Sequence, residues 1–427
     1  MKSNYKKVTS YEAKKGEFKK CLLLYSGGLD TSVMLKWLQE EYECEVVTLT
    51  LDIGQIADDL EKIKQKALNL GAVKAIVYDA KDKFADELLS LAIMANADYQ
   101  GGYALSTPLG RVVISQIAVD IATKENCQVI AHGCTGKGND QVRFETYITT
   151  LSPKLKIVAP VREWSMGRDE EIAYAEKHGI PVKQTSDKPY SYDENLWGNT
   201  GEGGSIENPE LIPPLHNILQ WCNTVEKSLN SPETVQIEFK RGVPISINGM
   251  KMKLSKLIAT LNKIGSKHGV GVTQLIEDRM VGLKVRGVYE NPGASILIAA
   301  HDKLEKLVST RQENELKHFL DSKWAYLTYA ANWFDPVMEH LHAYIKDHNK
   351  KVSGWVEVKL FKGQITVVAL GSPYSLFDEN LATFNKNAEF NQNASAGFIE
   401  LHALAQKTAY SVALANHKSG PNSEDSV

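Results

Sequence analysis

The stretch Leu23-Leu24-Tyr25-Ser26-Gly27-Gly28-Leu29-Asp30-Thr31-Ser32 decides the fold. It reads as a short apolar strand running into a Ser-Gly-Gly turn and straight into a helix with Val33, Met34, Trp37 and Leu38 on one face. A turn of this composition suits a phosphate. Two glycines let backbone N–H groups approach an anion without a Cβ in the way, the helix adds its N-terminal dipole, and Ser26, Thr31 and Ser32 add hydroxyl donors. Alone, Ser-Gly-Gly would be a plain tight turn; here strand, turn and helix coincide.

Working outward, short apolar runs alternate with helix-period segments from Cys21 to about Pro160, the pattern of strands joined by crossover helices in a parallel α/β sheet. The strand candidates are Cys21 to Tyr25, Glu45 to Leu51, Lys74 to Tyr78, Gln128 to His132 and Lys156 to Ala159. One helix is well marked: Ser106 or Thr107 caps it, Pro108 suits its first turn, and Val113, Ile114, Ile117, Ala118 and Ile121 form a core stripe. Beyond about Thr185 a Gly, Asn and Pro-rich texture gives way to alternating strands such as Val235 to Phe239 and Trp355 to Leu360, the mark of a separate α+β domain. Near the end Leu401, Leu404, Ala405, Thr408 and Val412 recur at helical spacing, before a polar tail from Ser419. That helix docks on another subunit or folds back on its own domain. The expected organisation is a flexible extension over 1–19, a nucleotide-binding domain over 20–185, an α+β domain over 186–390, and a terminal helix and tail over 391–427.

Composition narrows the classes. The chain has 427 residues, 43% hydrophobic and 24% charged, and a formal charge of -3, which argues against a partner that needs many phosphates neutralised. No nucleic-acid partner is expected. No run reaches the roughly 20 apolar residues that span a bilayer, so no membrane partner is expected either. The five cysteines form no CxxC pair, and with no secretory signal this reads as a reducing, cytoplasmic setting.

The second chemical stretch is Ala131-His132-Gly133-Cys134-Thr135-Gly136-Lys137-Gly138-Asn139-Asp140-Gln141-Val142-Arg143-Phe144-Glu145, again directly after a strand. Its Gly-Lys pair does not make a Walker A loop, because Ala131 stands where that motif has its first glycine and Gly138 where it has Ser or Thr. What remains is a glycine-rich loop at a strand's C-terminal end, carrying an alcohol, an amide, a carboxylate and two cations. Such a set can read an amino acid.

The lysine-free SGGLDTS turn is similar to that of the pyrophosphate-loop ATPases, which implies cleavage of ATP between the α and β phosphates. More narrowly, the chain resembles the argininosuccinate synthases in order from about Lys20 to the terminal helix. The matching landmarks are YSGGLDTS at Tyr25 to Ser32, DIGQ at Asp52 to Gln55, STPLGR at Ser106 to Arg111, HGCTGKGNDQVRFE at His132 to Glu145, YSYDENLWG at Tyr190 to Gly198, and IEDRMVGLKVRGVYENPG at Ile276 to Gly293. The resemblance implies that Leu24, Tyr25, Ser26, Gly27, Gly28, Leu29, Asp30, Thr31 and Ser32, with Leu51, Gly133, Thr135 and Asp193, hold ATP, accompanied by Mg²⁺ but with no resident metal site. It implies that Thr135, Asn139 and Asp140 hold aspartate, and that Tyr103, Arg143, Ser191, Thr200, Glu202, Glu277 and Tyr289 hold citrulline, with Asp140 and Arg143 closest to the reaction. Arg143 suits a bidentate grip on a carboxylate, and Glu202 and Glu277 suit an ammonium or ureido N–H. A homotetramer with exchanged C-terminal helices is also implied. Pro108 departs from one branch of the family and matches the other, while Asp278 and Val272 to Gln274 depart from patterns common in the family.

The implied reaction adenylates the ureido oxygen of citrulline, after which the amine of aspartate displaces AMP. A tRNA thiolase would want reactive cysteines and a basic RNA face, and an amidotransferase a glutaminase module or an N-terminal cysteine; the chain has none of these features. A silent nucleotide-binding protein would not need both the SGGLDTS and GKGND loops intact.

Overall fold

The five apolar runs become five parallel strands, β1 (Lys20–Leu24), β2 (Glu45–Asp52), β3 (Lys74–Asp79), β4 (Val129–Ala131) and β5 (Lys156–Val158), in the order β3-β2-β1-β4-β5. The computed structural model describes residues 5–55, 59–164, 166–181, 190–382 and 389–418, and divides into two compact units, Met1–Tyr374 and Ser375–Val427. Successive side chains of a strand face opposite ways, so Leu22, Val47 and Ile130 join one core while Cys21, Leu23, Val46 and Val129 join the other. Burial on both faces explains why these strands read as continuous apolar runs. The strand order reverses between β1 and β4. Loops at the C-terminal ends of those two strands therefore flank a crevice, the place where open α/β sheets bind ligands.

The helix Ser106–Lys124 lies across this sheet, buried on most sides. The expected Ser106 or Thr107 cap is not what starts it. Leu105, at φ 65°, is the N-cap residue, and the Thr107 amide donates to the Tyr103 hydroxyl at 3.2 Å, so a phenol takes the place of the short alcohol. The lysine-rich start also differs from the flexible extension expected of it. From Tyr5 onward it lies against the sheet: Ala13 N donates to Ile157 O and Ile157 N to Tyr11 O, both at 2.9 Å, while Ala13 and Phe18 are buried. An edge strand offers unpaired backbone groups, and this segment satisfies those of β5.

Two antiparallel sheets follow. β6 (Ser191–Asn195), β7 (Gly198–Glu202), β11 (Val272–Asp278) and β12 (Lys284–Glu290) form the order β11-β12-β7-β6. β8 (Glu233–Lys240), β9 (Val243–Ile247), β10 (Met250–Lys251), β13 (Gly354–Phe361) and β14 (Gln364–Gly371) form β10-β9-β8-β13-β14. The boundary expected near 185 falls outside the described residues, as does the tail from Ser419. In the second unit the single terminal helix is two, Asn393–His402 and Leu404–Lys418, with Leu401, Leu404 and Val412 exposed.

A buried polar cluster ties the helices of the first unit together. Lys317, 1% exposed, donates to the Met94 carbonyl at 2.8 Å and to Asp321 at 2.6 Å, and lies 3.1 Å from Glu305. Asn349 also donates to Met94 O, at 3.2 Å. One lysine balances only one of the two carboxylates, and burial, with the charge of Glu305 adding to it, pushes the Asp321 carboxyl up to about 7. Between about pH 4 and that value the folded chain holds a proton that the unfolded chain has released, so stability falls as pH rises through the window. Asp321→Asn should flatten that part of a plot of unfolding temperature against pH; an unchanged slope would contradict the assignment.

Candidate active site

The Ser-Gly-Gly turn has the form the sequence suggests. Gly27 sits at φ 80°, a region that favours glycine, and a Cβ there would stand 2.9 Å from Ile63. The helix Leu29–Glu41 begins at Gly28, which has no side chain to cap the first turn, and a helix start of this kind suits an anion. A cavity of about 1320 Å³ opens beside it, lined by Leu24 to Leu29, Thr31, Leu51, Gly133 and Asp193 among others. Ser32 does not line it. Fully buried, its hydroxyl donates to Gly28 O at 2.7 Å and bonds the Tyr25 hydroxyl at 3.1 Å, bracing the turn from behind. The turn itself lacks a lysine, but Lys66 on the helix Leu60–Asn69 donates to Gly27 O at 2.9 Å and lines the same cavity with Lys36 and Lys62.

A second cavity of about 520 Å³ holds Asp30, Tyr103, Thr135, Asn139, Asp140, Arg143, Ser191, Thr200, Glu202 and Glu277. Ser26, Gly28, Leu29, Thr31, Arg111, Gly133, Tyr192 and Asp193 line both cavities, so the two share a wall. The helix Asn139–Leu151 starts at Gly138, again without a side-chain cap, and carries Asn139 and Asp140 in its first turn. Two uncapped helix starts thus converge on one crevice.

Register explains the other wall. Asp193 pairs with Thr200, Thr200 with Tyr289, Tyr289 with Thr273, and Ser191 with Glu202. Cross-strand partners share a face, as do residues two or four apart, so Ser191, Asp193, Thr200, Glu202, Glu277 and Tyr289 all stand on one side of β11-β12-β7-β6. Tyr289 stands on that face but lines neither cavity: it is buried, its ring 4.5 Å from that of Tyr103, and it donates to Glu277 at 2.6 Å. Tyr329 donates to the other Glu277 oxygen at 2.6 Å and accepts from Asn139 at 2.7 Å. Burial and the neighbouring Glu277 charge push both phenols well above their usual range.

The charged groups are already paired within the chain. Arg143 does not hold its fork open: Nε and Nη2 both donate to the Tyr329 carbonyl, at 3.2 and 3.1 Å, and Nη1 donates to Asp140 at 3.0 Å. A guanidinium has five donors, so two remain. Glu202 accepts from Arg279 Nη2 at 2.7 Å; burial raises its carboxyl, and Arg279 partly offsets this. Arg111 donates to Asp140 at 2.8 Å and also to Asp193. Burial would raise the Asp140 carboxyl, but Arg111 and Arg143 hold it below the usual range, while burial and the Asp140 charge raise Asp193 against the pull of Arg111. Among the described residues no three or more His, Cys, Asp or Glu cluster to hold a metal. Mg²⁺ brought by a nucleotide needs only one or two carboxylates besides the phosphates, and Asp30 beside the turn is of that kind.

Comparison with known proteins agrees with this architecture. The family model for the Arginosuccinate synthase N-terminal HUP domain matches residues 20–181, and that for the Arginosuccinate synthase C-terminal domain matches residues 190–409. The chain belongs to the argininosuccinate synthase family. An argininosuccinate synthase of Pyrococcus furiosus is 49% identical over 94% of this chain and 97% of its own length. Those of Oceanobacillus iheyensis and Bacillus subtilis are each 46% identical, over 96% and 92% of this chain and 96% of their own lengths.

Against the family pattern, the departure at Asp278 lies outside both cavities, where its carboxylate takes Gln100 at 2.7 Å and Lys284. Sequence reasoning passed over Arg111, Arg279, Tyr329 and Lys66 as site residues. Arg111 lay inside the STPLGR landmark and Arg279 inside IEDR, and that placement was the available signal. Tyr329 and Lys66 carried no local signal. Arg111→Ala leaves the half-buried Asp193 without its cation and Asp140 with Arg143 alone, and should lower stability by roughly 1–3 kcal/mol in urea unfolding. Adding Asp193→Asn should recover part of the loss, and purely additive effects would contradict the pairing.

Proposed function

We propose that the chain joins citrulline to aspartate with ATP, forming argininosuccinate, AMP and pyrophosphate, in arginine biosynthesis or the urea cycle. The observation that carries this reading is the wall shared by the nucleotide-sized cavity and the amino-acid cavity, since an adenylate must lie across such a wall. The names of the relatives point the same way.

In this reading the ureido oxygen of citrulline attacks the α phosphorus, its bond to that phosphorus forms, and the bond to pyrophosphate breaks. The carbon then carries a phosphate leaving group in place of something close to hydroxide. The Ser26 to Thr31 turn and helix start, braced by Ser32, hold the departing pyrophosphate, with Leu51, Gly133 and Asp193 around the nucleotide; Mg²⁺ bound with ATP would neutralise phosphate charge. Thr135, Asn139 and Asp140 hold aspartate, whose neutral amine attacks the carbon and expels AMP. Tyr103, Arg143, Ser191, Thr200, Glu202 and Glu277 hold citrulline, with Tyr289 bracing Glu277. Most of the rate comes from positioning, which supplies roughly 7–11 kcal/mol when reacting groups are aligned.

The remaining parts of the reading are a nucleotide-binding part to about residue 185, a synthetase part to about 390, a cytoplasmic setting and a homotetramer built through the C-terminal helices. Exposure of Leu401, Leu404 and Val412 supports the last. No helix among the described residues is long and apolar enough to cross a membrane.

Purified protein should release pyrophosphate from ATP only when citrulline is present, and should make argininosuccinate only when aspartate is added. ADP as the product would overturn the reading. Asp30→Ala should chiefly impair ATP use and Arg143→Ala chiefly the apparent citrulline affinity; equal losses of both in both variants, with circular dichroism unchanged, would contradict the division of the site.

A further inference from the structure

The loop His132–Gly138 is held at both ends by groups that hang on one arginine. At its start, His132, 1% exposed, accepts the Cys134 amide on Nδ1 at 3.3 Å. With Nδ1 an acceptor, Nε2 carries the proton and donates to Glu145 at 3.2 Å. Glu145 in turn takes Arg162 Nη1 at 2.7 Å. At the loop's end, Gln141 donates to Gly138 O at 3.3 Å and accepts from the same Arg162 Nη1 at 3.0 Å. Burial works against the Glu145 charge, but the hydrogen bond from His132 and the charge of Arg162 hold its carboxyl below the usual range.

Arg162 is held from outside by the segment before the first strand. Glu12, 4% exposed, lies 3.7 Å from Arg162 Nη2, and the Tyr5 ring stands 5.8 Å from the guanidinium carbon. Glu12 is fixed by the Val8 amide at 3.1 Å, the Thr9 amide at 3.2 Å, the Thr9 hydroxyl at 2.9 Å and the Tyr5 hydroxyl. Pairing of Tyr11 and Ala13 with Ile157 anchors this segment to the sheet. The matched family domain begins at residue 20, so the segment lies outside it.

We propose that residues 5–13 clamp the His132–Gly138 loop, and that Glu12 is a positioning residue for the aspartate site, acting through Arg162, Glu145, Gln141 and His132. The proposal rests on the reading of Thr135, Asn139 and Asp140 as that site. A partly buried guanidinium left with one carboxylate relaxes toward other acceptors, and Glu145 and Gln141 then lose their fixed partner. The loop would loosen at both ends.

The test uses full-length wild type, Glu12→Ala and Glu12→Asp, with Glu12→Gln as the shape-preserving substitute should Glu12→Ala not fold. In Glu12→Ala the amides of residues 133–138 should exchange with deuterium about tenfold faster, and the KM for aspartate should rise about tenfold. The KM for ATP should rise by no more than about threefold, because only His132 and Gly133 of the loop reach the larger cavity and the Ser-Gly-Gly turn hangs on other contacts, and kcat should stay within about twofold. Glu12→Asp should recover part of the aspartate effect. Unchanged exchange in the loop, or an equal rise in every KM without rescue by Asp, would overturn the clamp. If wild type makes no AMP and pyrophosphate while the loop amides still respond to Glu12→Ala, the clamp stands and the reading of the reaction falls.

Discussion

Two carboxylates from distant parts of the chain, Asp140 at the start of a helix over the parallel sheet and Asp193 on the first antiparallel strand, converge on the guanidinium of Arg111. Each of the three is half-buried, so each gains from an opposite charge held close. Their mutual satisfaction fixes β6 against the helix Ser106–Lys124, and the pairing of β6 with β7 and of β7 with β12 then sets the antiparallel face over the crevice. Asn195 donating to Ser106 O at 2.9 Å and Trp197 to Ala104 O at 2.7 Å hold the same seam, and the shared wall between the two cavities follows from these contacts together.

The site is pre-assembled, with internal partners where substrates would go. Glu277 is satisfied by two tyrosines, Glu202 by Arg279, and the fork of Arg143 by a backbone carbonyl. An incoming amino acid therefore exchanges hydrogen bonds more than it adds them. Such exchange contributes little to affinity but much to selection, because a ligand lacking a matching group leaves a buried partner unsatisfied. It also keeps the polar wall from collapsing when empty.

The parallel sheet was legible because buried strands leave continuous apolar runs, and all five lie within a residue or two of those runs. The phosphate turn was legible because glycine at a positive φ between a strand and a helix leaves a local trace. The antiparallel face was harder: its strands carry functional polar residues, Ser191, Asp193, Thr200 and Glu202, so hydrophobic alternation is weak, and their roles came from resemblance alone. Tyr329 and Lys66 were invisible because only tertiary packing brings them in. The helix cap was misread because a tyrosine hydroxyl replaces the short alcohol that local rules anticipate. The N-terminal segment was misread because its lysines mask the few residues, Tyr5, Glu12, Ala13 and Phe18, that pack.

The central claim is that an oxygen of one amino acid in the smaller cavity becomes bonded to the α phosphorus of a nucleotide in the larger one. Citrulline labelled with ¹⁸O in its ureido group, turned over with ATP and aspartate and followed by mass spectrometry of the nucleotide, tests this directly. The account predicts one labelled oxygen in the phosphate of AMP. Label that stays out of AMP would contradict it.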